Sequence, residues 1–249
     1  MTDSITEFFD STYLKTSEQQ QISEEENIVN VVAVIKEAID YDFKLVMIRQ
    51  AYITLAKKMI SDGSSKLLIG TVIDFPLGNS SCEQKLDEIE SAINLGADEI
   101  DIVINYTAFI RGNISEITDE IIKCTSLCLK NDKITKWIIE SAALNMDEIS
   151  SLCALIKEKV IQNFGMENTE KVFVKSSTGF FKTKDGSPSG ATEEGIKIMI
   201  HHSSPLPVKA SGGIRNRIEF DRMINLGVKR VGTSSALKIL KGLESDSDY

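Results

Sequence analysis

The chain has 249 residues, of which 42% are hydrophobic and 26% charged, and its formal net charge is −9. That length and apolar content suit one large α/β domain with a sizeable core. The acidic balance argues against general nucleic-acid binding, which needs clustered Lys and Arg against phosphates. No apolar run reaches the roughly 18 residues that span a bilayer. The opening MTDSITEFFDST has no basic stretch leading into an apolar one, so a soluble, cytoplasmic protein is expected.

Short β-rich runs alternate with amphipathic stretches along the chain. FFDSTYL (8–14) precedes a helical pattern over 23–41, and FKLVMI (43–48) precedes YITLAKKMIS (52–61). KLLIGTVIDF (66–75) leads to a helix over 81–96, opened by the capping pair Ser81 and Gln84 and stopped at Leu95-Gly96. Leu86, Ile89 and Ile93 follow its 3.6-residue period. EIDIVIN (99–105) is followed by a helix over 114–130, and KWIIES (136–141) by one over 146–164. KVFVKSS (171–177) precedes ATEEGIKIMIHH (191–202), LPVKAS (206–211) precedes RIEFDRMINLG (217–227), and KRVGTS (229–234) precedes a last helix over 234–243.

Eight strands, each followed by a helix, predict parallel right-handed crossovers and a sheet closed on itself. Continuous apolar runs fit strands buried on both faces, and no Gly-rich turn follows the first strand as an open dinucleotide-binding sheet would require. The expected fold is therefore a single-domain (β/α)8 TIM barrel over residues 1–249, with 243–249 an acidic, flexible tail.

Cys82, Cys124, Cys128 and Cys153 form no disulfide-like framework, which suits a reducing compartment. Cys124 and Cys128 share a helix face, but no second pair of ligands lies near, so they read as core. His201 and His202 fall at a helix C-terminus, where a cation is favoured. Acid–base chemistry must then use Lys, Asp, Glu or Tyr, and neither a metal nor an organic cofactor is expected.

In a barrel the chemistry lies where strands end, on the C-terminal face. Asp10, Asp101, Lys175 and Lys209 are ionisable groups inside apolar strands near those ends. Such groups are paired, neutralised or functional, because burying a lone charge costs several kcal/mol. A lysine attacks only as the free amine, and at pH 7 an ordinary lysine supplies on the order of one in 2,500. Lys175 and Lys209 end adjacent strands, and a second ammonium together with burial penalises protonation of the first. Asp101 is placed to relay protons. Ser211-Gly212-Gly213-Ile214-Arg215 after the seventh strand and Gly232-Thr233-Ser234-Ser235 after the eighth make a phosphate cradle, with Ser177-Thr178-Gly179 adding further donors.

VKSSTGF (174–180), VKASGGIR (208–215), GADEIDIVINY (96–106), TVIDFPLGN (71–79), IIES (138–141) and VGTSSA (231–236) resemble segments of the deoxyribose-phosphate aldolase family. Together they run from about residue 9 to 240. The resemblance implies an imine between Lys175 and acetaldehyde, a tuning role for Lys209 and proton transfer through Asp101. It implies a sugar-phosphate substrate whose phosphate lies near Gly179, Gly212, Gly213, Gly232, Ser234 and Ser235, with Arg215 of the cradle beside them, and Asp10 on the substrate hydroxyls. Tyr249 matches a terminal tyrosine that aids proton exchange in some members. The oligomeric state is not read from the sequence, and a homodimer is one option. The loop 180–192, with Lys182 and Lys184, and the pair Ser11 and Tyr13 depart from the family pattern. The alternatives are an aldolase for a longer sugar phosphate, a metal-dependent aldolase, which two adjacent histidines serve poorly, and a noncatalytic phosphate-sensing barrel.

Overall fold

Strands that are apolar on both faces have to be covered on both, and in this chain helices cover one face while the closed sheet covers the other. The computed structural model describes residues 4–183, 186 and 188–243. Tyr249, Lys184 and all but the first residue of the 243–249 segment lie outside them. The strands are β1 (Phe9–Tyr13), β2 (Leu45–Ile48), β3 (Leu68–Ile73), β4 (Glu99–Val103), β5 (Ile134–Ile138), β6 (Val172–Lys175), β7 (Val208–Ser211) and β8 (Arg230–Thr233). They form a closed parallel barrel in sequence order, as predicted. The closure pairs Phe9 with Val231, Asp10 with Gly232 and Ser11 with Thr233.

The helices packed outside are α1 (Glu24–Asp40), α2 (Ile53–Asp62), α3 (Cys82–Leu95), α4 (Ile114–Lys130), α5 (Met146–Phe164), α6 (Glu193–Ser203), α7 (Arg217–Leu226) and α8 (Ala236–Lys241). Ser23, Ser81 and Asn145 each close a reciprocal capping box at the start of α1, α3 and α5. Gly96 and Gly227 stop α3 and α7 in the left-handed conformation that residues with a Cβ avoid. Short helical turns at Ser17–Gln20 and Tyr106–Ile110 were not foreseen. The fifth strand begins two residues earlier than its apolar run suggested, because Ile134 and Thr135 pair with Glu99 and Ile100. It ends before Glu140, whose φ of 52° leaves the sheet.

Period-two alternation then divides each strand. Ile100 and Ile102 of β4, Trp137 of β5, Val174 of β6 and Val231 of β8 face the helices in the main core. Each such side chain contributes roughly 1.5–3 kcal/mol on burial. Inside the barrel the lining is of two kinds. Leu45, Met47 and Val72, with Leu14, make an apolar half on β2 and β3, against which Phe75 and Phe180 pack. The other half, on β4 to β8 and β1, is charged. Cys124, Cys128 and Cys153 are buried in the core, and His201 and His202 stand in the last turn of α6. Among the described residues no helix is long and apolar enough to cross a membrane.

Candidate active site

Residues two apart on a strand share a face, so Glu99 and Asp101 both enter the barrel from β4. Lys136 enters from β5, Lys175 from β6, Lys209 from β7, Arg230 from β8 and Asp10 from β1. Lys175 is 3% exposed and Asp10, Asp101, Lys136 and Lys209 are fully buried. Lys175 and Lys209 are register partners across the β6–β7 pair. Both ammonium groups reach the same oxygen, Oδ2 of Asp101, each at 2.8 Å. Lys136 Nζ takes the other oxygen at 3.0 Å.

A lower tier holds these groups in place. Lys209 Nζ also lies 2.5 Å from Asp10 Oδ2, and Arg230 donates through Nε to Asp10 Oδ1 at 2.7 Å and through Nη1 to Glu99 Oε1 at 3.0 Å. Lys136 pairs with Glu99 and lies 3.4 Å from Asp10. Three carboxylates thus meet four basic side chains in one water-poor space. With Lys136, Lys209 and Arg230 as cations, the cluster is neutral when Lys175 is the free amine. The titration tendencies agree. Burial pushes Lys175 down to about 8, against the opposing pull of Asp101 and with the help of Lys209 and Lys136. Burial would raise Asp101, but Lys136, Lys175 and Lys209 outweigh it and hold the carboxyl well below its ordinary range. Asp10 is likewise lowered against burial, chiefly by Arg230.

The predicted trio of Lys175, Lys209 and Asp101 is therefore brought together. Asp10 sits beneath it, its carboxylate committed to Lys209 and Arg230, and it does not line the mouth as a hydroxyl contact would. Lys136, Glu99 and Arg230 were overlooked, although the signal was the one applied to the others: a charge in an apolar strand, in Glu99's case two residues from Asp101.

Above the cluster three loops interlock. After β6, Ser177 Oγ bonds Ser141 Oγ at 3.0 Å, and Thr178 gives both its N–H and its hydroxyl to Glu140 Oε2. The Ser177 and Thr178 hydroxyls foreseen as phosphate donors are thus engaged within the protein. Ser176 Oγ bridges to Ser211, donating to its carbonyl and accepting from its N–H, each at 3.0 Å. Gly190, unremarked in the sequence, lies so near that a Cβ there would stand 2.2 Å from the Gly212 carbonyl oxygen. A Cβ on Gly212 would stand 2.8 Å from the Gly190 Cα and 3.5 Å from the Gly179 Cα. Gly212 and Gly213 both have positive φ, as does Gly179. Thr233 Oγ1 donates to the Ile214 carbonyl at 2.7 Å and accepts from Ser235 N–H, tying the eighth loop to the seventh.

Of the residues assigned to phosphate, Gly179, Gly213, Arg215 and Ser234 are exposed, and Gly212 and Ser235 half-buried. Arg215 joins Gly190, Gly212, Gly213 and Arg222 in lining a cleft of about 540 Å³. Gly232 has a different place: it is buried within β8, where a Cβ would come 3.1 Å from Lys209 Cε. Its bare backbone gives Lys209 its path. Phe180 packs edge-on to Phe75 at 5.1 Å over the apolar half, and Arg49 lies 5.0 Å from the Phe75 ring. Lys182 is exposed.

A parallel barrel with two buried lysines on one carboxylate at its C-terminal end, beneath glycine-rich loops, defines a lysine-centred barrel enzyme. A family model described as DeoC/LacD family aldolase matches residues 9–242, and the chain belongs to that family. It is an aldolase, hence a lyase. Deoxyribose-phosphate aldolase 1 of Staphylococcus aureus is 38% identical over 217 residues, covering 87% of this chain and 90% of that protein. The deoxyribose-phosphate aldolase of Staphylococcus haemolyticus is 37% identical over 244 residues, 97% of this chain and 98% of that one. A solved tetrameric deoxyribose phosphate aldolase from Aeropyrum pernix matches with a TM-score of 0.74 at 26% identity, covering 94% of this chain and 88% of the other.

Proposed function

We propose that this chain, acting as one barrel domain, reversibly cleaves 2-deoxy-D-ribose 5-phosphate to D-glyceraldehyde 3-phosphate and acetaldehyde through an imine on Lys175. The observation that carries the reading is the pair of lysines sharing Asp101 Oδ2 inside a buried cluster of charges. The free amine adds to the sugar's C1 aldehyde, and the carbinolamine loses water to give a protonated imine. The C3 hydroxyl then gives up its proton as the C2–C3 bond breaks. The bond's electron pair flows into the C1–C2 enamine and neutralises the imine nitrogen, and C3 leaves as the aldehyde of glyceraldehyde 3-phosphate. Protonation of C2 and addition of water release acetaldehyde and restore Lys175.

Asp101, between two ammonium groups, takes and returns protons in these steps. Lys209 keeps a positive charge beside the amine that must stay unprotonated. Asp10 serves as counter-charge to Lys209 and Arg230; to reach a substrate hydroxyl it would have to leave them. The phosphate is assigned to the open end, at Gly179, Gly212, Gly213, Arg215, Ser234 and Ser235, where glycine backbone N–H groups can approach an anion. Gly232 contributes there through Lys209. A homodimer remains part of the reading, and sedimentation of the purified protein distinguishes it from a monomer and from a tetramer like that of the Aeropyrum enzyme.

The test is chemical trapping. The protein is incubated with acetaldehyde or with deoxyribose 5-phosphate and reduced with borohydride, and its peptides are weighed. A two-carbon ethyl adduct on Lys175 after acetaldehyde, absent without it, is the expected result. An adduct on Lys209 would reverse the two lysine roles, and no adduct on folded protein would overturn the imine. Turnover of fructose 1,6-bisphosphate in preference to deoxyribose 5-phosphate would overturn the substrate.

A further inference from the structure

Glu140 stands at the end of β5 with no part in the chemistry above. It is 1% exposed, and its backbone is left-handed at φ 52° and ψ 64°, a conformation that costs a non-glycine residue energy. Two donors of Thr178, the N–H at 3.2 Å and the hydroxyl, converge on one oxygen, Oε2. The other, Oε1, has no hydrogen-bond partner among the described residues. The Thr178 hydroxyl in turn accepts the Phe180 N–H at 3.0 Å. The next residue after Glu140 adds two more ties to the same loop: Ser141 N–H donates to the Ser176 carbonyl at 2.8 Å, and its hydroxyl meets that of Ser177. The carboxylate therefore clamps the turn that carries Gly179, and Gly179 packs on Gly212.

We infer that Glu140, as a carboxylate, is a positioning residue that sets the Ser177–Gly179 turn against the Gly212 turn and thereby the affinity for the phosphate end of the substrate. The inference rests on the assignment of that cradle to phosphate. Two charge-assisted bonds hold the turn while Glu140 is ionised, and protonation reduces them to neutral bonds of about half the strength. The groups facing Glu140 are Thr178, the Lys175 amine on β6 and the Tyr106 hydroxyl after β4. Burial raises the carboxyl to about 7, against the lowering effect of Thr178 and Lys175. The clamp is thus about half engaged near pH 7, approaches full strength as pH rises above it and weakens as pH falls below it.

Glu140→Gln presents a neutral acceptor at every pH. At pH 8.5 its KM for deoxyribose 5-phosphate is expected to rise about tenfold, with kcat changed less than about twofold, as befits the loss of charge assistance from a positioning contact. At pH 6 the variant and the natural protein should nearly coincide. That comparison cancels titration of the substrate's own phosphate, which both proteins see alike. Ethyl trapping at Lys175 with acetaldehyde, which has no phosphate, should not be slowed, because loss of the Glu140 charge favours the free amine.

Thr178→Val should reproduce the KM change, and Thr178→Ser should restore natural behaviour, so the inference stays testable if Glu140→Gln does not fold. An unchanged KM in a folded Glu140→Gln, or a KM ratio that does not depend on pH, would overturn the clamp. So would trapping slowed as much as sugar-phosphate binding is weakened. Failure of the natural protein to trap acetaldehyde at Lys175 would instead remove the proposed function beneath it.

Discussion

Lys175 is a base placed where its charged form is poorly solvated, and the pH scale reports this twice. With a value of about 8, roughly a tenth of the molecules carry the free amine at pH 7, on the order of 300 times more than for an ordinary lysine. Imine trapping is therefore expected to rise about tenfold per pH unit below 8 and to level off above it. In stability the sign is the reverse of a salt-bridged lysine's. Between pH 8 and the ordinary lysine value the unfolded chain holds the proton and the folded one does not. The destabilising contribution is thus full below 8 and fades as pH climbs above it. Lys209→Met removes the neighbouring ammonium and leaves Asp101 pulling harder. The midpoint of trapping against pH should move upward and the rate at pH 7 should fall by roughly 10- to 100-fold. An unmoved midpoint would mean that burial alone tunes Lys175. These residues were open to sequence reading because a charge inside an apolar strand stands out. Asp10 was seen on the same grounds, but its pairing with Lys209 and Arg230 was not, and that pairing sets its place below the mouth.

At the level of elements, the loops after β5, β6 and β7 behave as one unit built on close backbone contact. Gly190→Ala would drive a methyl group into the Gly212 carbonyl, and backbone on both sides leaves little room to yield. A displacement of about 1 Å in a substrate-positioning turn costs on the order of 100-fold in kcat/KM. The expected result is a loss of that size on deoxyribose 5-phosphate with acetaldehyde trapping retained; normal kinetics would show that the loop can shift freely. Gly190 was not legible in the sequence, since a glycine in a polar loop looks like any other until the segment 22 residues further on is laid against it. The Thr178 hydroxyl shows the converse: it reads as a ligand donor beside a lysine, and the fold gives it to Glu140.

For the molecule as a whole, Arg230 joins strands far apart in the chain, reaching Asp10 on β1 and Glu99 on β4 from β8. Arg230→Met would leave two buried carboxylates short of a counter-charge, and breaking such a pair costs about 3–5 kcal/mol. The urea unfolding midpoint should fall accordingly with the slope little changed. An unfolding free energy within about 0.5 kcal/mol of the natural protein's would show that Lys136 and Lys209 suffice. The same cluster both closes the barrel and sets the amine, so stability and reactivity draw on one set of charges.

The strand–helix alternation, the helix cap at Ser81, and Asp10, Asp101, Lys175 and Lys209 buried in strands follow from the sequence by itself. They depend on local periodicity and on the cost of burying charge, both of which act within a few residues. Tertiary structure alone decided that two ammonium groups share one oxygen of Asp101 and that Lys136, Glu99 and Arg230 complete the balance. It alone decided that Glu140 holds Thr178. Those facts depend on strand register and closure, which bring residues as much as 220 positions apart within hydrogen-bonding distance. In a low-dielectric interior, distances on the order of 3 Å determine which base keeps its proton.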